Sequence, residues 1–508
     1  MDTIAELWQE IETQITNLTE LTAEDAIALR QNLSKLRQEI KGSVQTAQFA
    51  SLIAGKEPLL LALLHAEDAK TRKNAVLVMG DMGMERFLEP IFTAYEKEPQ
   101  MFIKSAYLSA IKAFDYRDYL SRLKDRQQQL LTTEITEDNK KHATEEMRIL
   151  SELIVTMEGL KKHRFTGYRL PAEVILLTNR LQSEATEKQI QGAKTQLFNA
   201  GIKVQTNQIE KLLPIRTYQE LLFAVPGMYS CELDAGRAAQ TIVHSTLLSF
   251  LQSRHDGTFP FYFRVEVKSK QALDKKSIFV KKLTADIERL THRQLINSPS
   301  NYEIEIRLIE NKLQDQDTYN VLLKLYTIPD ERFTYRQASI SASIKPVNAA
   351  LLVELAKSYM KEDAQVLDPF CGVGTMLIER QKVVMGNTAY GIDVLEEAIT
   401  KAKLNTEAAG QIIHFVHKDF FDFTHEYLFD EIFTNMPFAM GHKTEEEIHE
   451  LYIHFFDRAK THLQKDGTII MYTHNKELVK ELAPAKGYTI IKQFEIMRRE
   501  NTHLIILK

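Results

Sequence analysis

An apolar run, Val366-Leu367-Asp368, hands over directly to Pro369-Phe370-Cys371-Gly372-Val373-Gly374-Thr375 and then to a helix-forming stretch from Met376 to Lys382. A strand that turns through two glycines into a helix is the opening unit of a doubly wound α/β sheet. The glycines remove the side chains that would keep a ligand off the backbone. The helix aims its free N–H groups and its positive end at the loop. The pattern continues along the chain. Thr388 to Asp393 reads as a second strand ending in a carboxylate, and Leu395 to Ala409 as a helix stopped by Gly410. Ile412 to Val416 is a third strand, closed by Lys418-Asp419-Phe420, and Asp430 to Thr434 a fourth. A helix from Thr444 to His462, a strand from Gly467 to Thr473, a helix from Lys476 to Leu482 and strands Tyr488 to Ile496 and Thr502 to Leu507 complete the set. The last two strands are joined by Met497 to Asn501, too short for a crossover helix, so they must pair antiparallel. The expectation is a seven-stranded, mostly parallel Rossmann-like sheet.

The strand ends carry the chemistry. Asp368, Phe370, Gly372, Gly374 and Thr375 lie on or beside the first loop. Asp393 stands roughly 20 residues past the glycines, a spacing that suits the two hydroxyls of a ribose. Asp419 and Phe420 offer an acid and a ring, which would suit the amino group and the face of an adenine. The fourth strand delivers Asn435-Met436-Pro437-Phe438. The Asn435 side-chain oxygen and a carbonyl near Met436 or Pro437 can accept the two hydrogens of an amine and aim its lone pair. Phe438 can stack on a base. Asn and Pro are also ordinary turn residues, so a plain strand-ending turn is the other reading of the motif. Cys371 reads as a small filler, not a nucleophile.

Taken in order, these motifs resemble the S-adenosylmethionine-dependent methyltransferases that modify exocyclic amines. Their fourth motif reads Asn or Asp, any residue, Pro, then an aromatic. The resemblance implies that S-adenosyl-L-methionine sits on Asp368, Phe370, Gly372, Gly374, Thr375, Asp393 and Asp419, and that Asn435, Pro437 and Phe438 hold the target amine. Catalysis would be positioning plus electrostatics, because the leaving group departs as a neutral thioether. Two positions depart from the commoner pattern: Met436 replaces proline, and Ala439 stands where glycine often follows the aromatic.

From about Leu170 to Tyr335 the chain reads as an α+β module. Strands are expected at Glu173–Thr178, Leu221–Val225, Phe261–Val267, Tyr302–Leu308 and Tyr319–Leu325, with helices at Glu184–Ala200, Ala235–Gln252 and Ser277–Leu290. The Phe263–Lys268 segment, the lysine-bearing helix after it and the strands ending near Leu325 resemble the ferredoxin-like plus THUMP unit of a family of RNA guanine-N2 methyltransferases. The likeness is weaker from Glu173 to Ser253. The stretch from Arg264 to Lys282 is basic, with Glu266 and Asp274 as its acids. The resemblance implies RNA contact through Arg264, Lys268, Lys275, Lys276, Lys281 and Lys282; a solvated charge run is the other reading. Phe333–Arg336 and Ser343–Leu352 are similar to the segment before the cofactor loop in the same group, with Pro346 suiting a helix start. That likeness puts Lys345 and Asn348 at the pocket, Lys345 toward RNA, and begins the methyltransferase domain at 336, running to 508. Arg498 and Arg499, at the tip of the last hairpin, could touch a phosphate or be solvated loop charges.

Residues 1–125 show apolar residues at helical spacing in Glu57–His65, Lys70–Met79, Arg86–Lys97 and Phe102–Phe114. Arg72–Leu77 is echoed by Ile103–Leu108. This is similar to HEAT-type repeats, which offer a surface to a protein partner; a plain helical bundle fits as well. Residues 126–169 read as a helical linker. With 508 residues the chain has room for about two to four domains. Two cysteines, Cys231 and Cys371, argue against a disulfide framework or a zinc site, so no metal is expected. No apolar run approaches a membrane span, and the N-terminus lacks a signal-peptide pattern, so a cytoplasmic location is expected. A net charge of −5 carries no general nucleic-acid signal, so RNA contact must be local. The reading is a multidomain chain: an all-α helical repeat, a ferredoxin-like/THUMP-like module and an α/β methyltransferase. It would methylate the N2 amine of a guanosine in tRNA or rRNA. The alternatives are an amine methyltransferase on DNA adenine or protein glutamine, and a non-catalytic RNA-binding scaffold that keeps the fold.

Overall fold

Helical periodicity governs the first part of the chain and alternating α and β periodicity the rest, and the computed structural model follows that division. It describes residues 3–16, 22–132, 137–158, 163–313, 316–341, 343–438 and 444–508. The chain packs as two units, Met1–Lys161 and Lys162–Lys508. Ala439 lies outside the described residues. Among the described residues no single helix is long and apolar enough to cross a membrane.

The first unit is built of α1 (Thr3–Thr16), α2 (Ala23–Glu39), α3 (Ser43–Leu52), α4 (Glu57–Ala62), α5 (Ala69–Met82), α6 (Leu88–Lys97), α7 (Met101–Ile111), α8 (Leu120–Thr132) and α9 (Glu137–Glu158). Asp68 caps α5 by accepting from the Thr71 N–H, and Gly83 ends it in the left-handed conformation. The two echoed segments lie on α5 and α7. These helices approach so closely that a Cβ on Gly80 would stand 2.7 Å from Ala110 Cα. The segment expected to be a linker is corrected by the structure. Met147, Leu150, Leu153 and Ile154 recur at helical spacing on α9 and are buried in the same core as Trp8, Phe92 and Tyr107. Glu146, fully buried, accepts from Tyr95 Oη at 2.7 Å and from Arg126 Nε at 2.8 Å. Residues 126–132 and 137–158 therefore belong to the helical unit.

The second unit begins with β1 (Ala172–Leu177), α10 (Ser183–Glu187), β2 (Lys194–Phe198), β3 (Gly201–Thr206), β4 (Glu220–Ala224), β5 (Ser230–Glu232), α11 (Ala235–His244), α12 (Leu247–Arg254), β6 (Phe261–Lys268), α13 (Leu273–Leu290), β7 (Leu295–Asn297), β8 (Ile304–Leu313) and β9 (Gln316–Leu325). They form one sheet in the order β2-β3-β1-β4-β9-β8-β6-β7, with β5 also paired to β9. Two expected helices are corrected. Glu184–Ala200 is a single helical turn followed by the β2–β3 hairpin. Gly192 takes φ +69°, which a continuous helix cannot hold, and β3 pairs across to β1. Ala235–Gln252 is two helices, broken after His244.

The remainder is α14 (Pro346–Ala356), β10 (Gln365–Asp368), α15 (Thr375–Val383), β11 (Thr388–Asp393), α16 (Glu396–Ala408), β12 (His414–His417), β13 (Phe429–Asn435), α17 (Glu445–His462), β14 (Leu463–Thr473), α18 (Lys476–Ala485), β15 (Ile490–Met497) and β16 (Thr502–Leu507). The sheet order is β12-β11-β10-β13-β14-β16-β15, and β16 runs antiparallel to both of its neighbours. Strand order reverses between β10 and β13, the switch point at which doubly wound sheets open a crevice. Polar bonds fasten the preceding module to this sheet. Arg216 donates from Nε at 2.8 Å and Nη2 at 2.6 Å to the fully buried Glu379, which also accepts from Tyr335 Oη at 2.6 Å. Asn179 Nδ2 donates to the Ile496 carbonyl at 3.0 Å, and Gln182 Nε2 to that of Glu495 at 2.8 Å. The loop after β1 is thereby pinned beside the β15–β16 turn.

Candidate active site

The carboxyl ends of β10, β11 and β13 open on a cavity of about 480 Å³. Of the residues expected to hold the cofactor, Phe370, Gly372, Thr375, Asp393 and Asp419 line it, together with the expected amine-holding residues Asn435, Pro437 and Phe438. Asp368 and Gly374 do not. Asp368 is fully buried beneath the loop, where Oδ1 accepts from Thr434 Oγ1 at 2.6 Å and from the Phe370 N–H at 3.1 Å. Burial, helped by the charge of Asp393, pushes its carboxyl up to about 7 against those two hydrogen bonds. Gly374 caps α15 at φ +80°, and a Cβ there would stand 3.0 Å from the Phe415 ring. It is a packing glycine between α15 and β12. Gly372 is the opposite case: at φ +52°, a Cβ would meet nothing within 4 Å and would project into open space.

Asp393 reaches back from β11 to brace this loop. Its Oδ2 accepts from the Gly372 N–H and its Oδ1 from the Leu395 N–H, both at 2.9 Å. A carboxylate has about four acceptor positions, so each oxygen keeps capacity for a hydroxyl. Asp419 Oδ1 accepts from the Phe421 N–H at 2.9 Å, which fixes the short turn after β12. Phe420 is buried edge-on against Phe370. Phe421, not among the expected residues, also lines the cavity; the Phe420-Phe421 doublet was its only sequence signal. Cys371 is buried and its thiol is pushed up by that burial, as suits a filler.

β13 ends at Asn435, and the Met436 N–H donates to the Tyr472 carbonyl at 2.9 Å. The Met436 side chain is buried in the apolar core, so this position needs an apolar group and a proline is not required. Asn435 Oδ1 is buried and has no hydrogen-bond partner among the described residues. Phe438 stacks on His474, with centroids 4.0 Å apart and planes at 28°. His474 comes from the end of β14; nothing in the local sequence marks it. Burial lowers its pKa, which keeps the ring neutral.

A second cavity of about 950 Å³ adjoins the first and shares Ser343, Ile344, Asn435 and Phe438 with it. Lys345 and Asn348 line it, as do Arg498 and Arg499. The other expected RNA contacts lie elsewhere. Lys275, Lys281 and Lys282 are exposed and Lys276 half-buried on α13, and none lines either cavity. Arg264 is not a free cation. It faces Glu305 across the β6–β8 register, donates to it at 2.6 and 2.9 Å, and packs over the Tyr302 ring. Lys268 pairs with Glu266. Both are explained as sheet ion pairs.

The catalytic fit rests on two observations: a buried amide oxygen with an unused acceptor site, and a loop glycine whose missing Cβ leaves the cavity open. The chain resembles known proteins in the same region. Residues 334–503 match the family model described as "RMKL-like, methyltransferase domain". The chain is 26% identical over 218 residues to a tRNA (guanine(10)-N2)-dimethyltransferase of Methanothermobacter thermautotrophicus, covering 40% of this chain and 63% of that one. It thus spans less than two thirds of that relative's length. Among solved structures, "a predicted N6-adenine-specific DNA methylase" from Listeria monocytogenes is 17% identical with a TM-score of 0.50, covering 69% of this chain and 97% of that chain. TrmN from Thermus thermophilus is 17% identical with a TM-score of 0.49, covering 66% and 99%. The Listeria likeness is one of fold, and it reaches beyond the span of the family match.

Proposed function

We propose, from the premise that residues 334–503 are a methyltransferase domain of the RMKL-like family, that the chain methylates the exocyclic N2 amine of a guanosine in tRNA or rRNA. S-adenosyl-L-methionine, when bound, supplies a methyl on a positively charged sulfur that leaves as a neutral thioether. Asp393 is assigned the ribose hydroxyls and Asp419, with Phe421, the adenine. Gly372 gives the ligand access to the loop backbone. Asp368, beneath the loop, acts as a positioning group. The buried, unpartnered Oδ1 of Asn435 carries the reading. It accepts one hydrogen of the target amine and turns the nitrogen lone pair toward the methyl. Phe438, backed by His474, stacks on the base. The neutral amide would not take the proton; once the N–C bond forms and the S–C bond breaks, the alkylated nitrogen is acidic enough to release it to solvent water.

RNA is favoured over DNA or protein by the THUMP-like module and by the activity for which the archaeal relative is named. The test is transfer of labelled methyl from S-adenosylmethionine to total RNA of a strain lacking this protein, followed by nucleoside analysis. The expected result is labelled N2-methylguanosine, lost in Asn435→Ala with cofactor binding intact, while Asp393→Ala weakens the cofactor itself. Label in DNA or protein instead would overturn the substrate. Absence of both label and cofactor binding would leave a scaffold.

A further inference from the structure

The two adjoining cavities differ in charge. The first is lined by Asp393 and Asp419 and by no lysine or arginine. The second is lined by Arg180, Lys345, Arg498 and Arg499, with Glu500 as its one acid. A polyanion is repelled by the first and drawn to the second. The four cations come from three separate places: the loop after β1, the residue preceding α14, and the β15–β16 turn. Arg180, Lys345 and Arg499 make no ion pair among the described residues, and Arg498 makes one long ion pair, 3.4 Å to Glu495, with its side chain 76% exposed. Three unpaired cations and a weakly paired fourth, from separate elements, give this concavity a positive field that no packing or pairing in the fold accounts for.

The walls are also held in place. Asn179 and Gln182, on either side of Arg180, donate to the backbone of Ile496 and Glu495, just before Arg498 and Arg499. The backbone that carries Arg180 is thereby held beside the hairpin. The cavity's volume, about 950 Å³, falls in the range of small-ligand pockets, room for about one extruded nucleotide and its neighbours. Chemistry on a base requires the base out of its stack in any case. The floor, at Asn435 and Phe438, opens onto the acidic cavity.

We infer that the target nucleotide reaches Asn435 through this cleft as part of a short unpaired RNA segment, with its flanking phosphates on Arg180, Lys345, Arg498 and Arg499. The inference rests on the reaction proposed above and moves the primary RNA contact from the lysines of α13 to this cleft.

The test compares the full-length protein with the double variant Arg498→Ala/Arg499→Ala, with Arg180→Glu, and with a variant neutralising Lys275, Lys276, Lys281 and Lys282. A labelled single-stranded RNA oligonucleotide and its duplex are the binding probes, and RNA from a strain lacking the protein is the methylation substrate. The double variant should bind S-adenosylmethionine as the parent does. It should bind the single strand at least roughly tenfold more weakly, and its salt slope should fall by about 1.4, since each phosphate of a single strand that a cation neutralises is worth about 0.7. Arg180→Glu should show the same defect from the opposite wall. The parent should prefer single strand over duplex. Unchanged affinity and slope in both cleft variants would overturn the inference, as would a larger loss in the lysine variant. If the parent binds the oligonucleotide through the cleft yet methylates no RNA, the cleft stands and the reaction falls.

Discussion

Replacing Gly372 and Gly374 by alanine, one at a time, separates two jobs that the loop motif runs together. Both backbones are left-handed, at φ +52° and +80°, so alanine costs about 1–2 kcal/mol at either position. At Gly374 the new methyl also meets Phe415 at 3.0 and 3.3 Å and Ala402 Cβ at 3.5 Å. Forcing such an overlap typically costs about 1–3 kcal/mol more, for a total of about 2–5. At Gly372 the methyl meets no protein atom within 4 Å and enters the cavity instead. A methyl driven into occupied ligand space, at about 1–3 kcal/mol, weakens binding roughly 5–150-fold. The assays are thermal unfolding followed by circular dichroism and calorimetric titration with S-adenosylmethionine. Gly372→Ala should lose mainly affinity and Gly374→Ala mainly stability. If Gly374→Ala melted with the parent but lost the cofactor, the packing role assigned to that glycine would be wrong.

Asp368 gives a pH signature. Its folded-state pKa of about 7 lies above the usual 3.8, so folding favours the protonated form. That stability is complete below about pH 4 and is lost as pH rises through 7, at about 1.4 kcal/mol per unit, or about 4 kcal/mol in all. Without cofactor, Asp368→Asn should therefore gain on the parent across that window, as read by denaturant unfolding; a pH-independent difference would refute the assignment. In the helical unit, Glu146→Ala strands Tyr95 Oη and Arg126. Losing one partner of a buried pair costs about 3–5 kcal/mol, and solvent access to Arg126 should bring this to about 2–4. The protein's only tryptophan, Trp8, is buried in that unit's core, so its emission during unfolding reads the loss directly, and an unmoved midpoint would count against α9 as a core helix.

The α/β half of the fold that carries the candidate site was legible because βα periodicity is local. Each strand end that bears chemistry is announced by its own neighbours: Asp393 closes an apolar run, and Asn435 precedes a proline. What the sequence hid was decided across space. Ser183 to Phe198 is rich in helix formers, yet β3 offers β2 a ladder partner and β1 offers β3 another, and pairing overrides propensity. Glu146 reads as surface, since glutamate is almost never fully buried unless paired; its partners, Tyr95 and Arg126, lie on other helices. Arg264 looked like part of a basic run until register set it opposite Glu305. Asp368 and Gly374 sit within the motif, and only the packing of Thr434 and Phe415 shows that they serve the loop from behind.

The position of Asn435 also has an electrostatic reading, beyond the hydrogen bond proposed for its unpartnered Oδ1. It stands where an acidic cavity meets a basic one. A carboxylate there would be drawn to the four arginine and lysine side chains of the cleft and would compete with RNA phosphate for them. A lysine would repel the sulfonium. A neutral amide oxygen does neither: in the proposed reaction it would accept a hydrogen from the amine and leave the cations to the phosphates and the acids to the cofactor. His474 fits the same logic, because burial keeps its ring uncharged, and it can back Phe438 without adding charge to the boundary. In the proposed reaction, the polarity of the two cavities would deliver each ligand to its own side, and the methyl would be handed over at the uncharged residues between them.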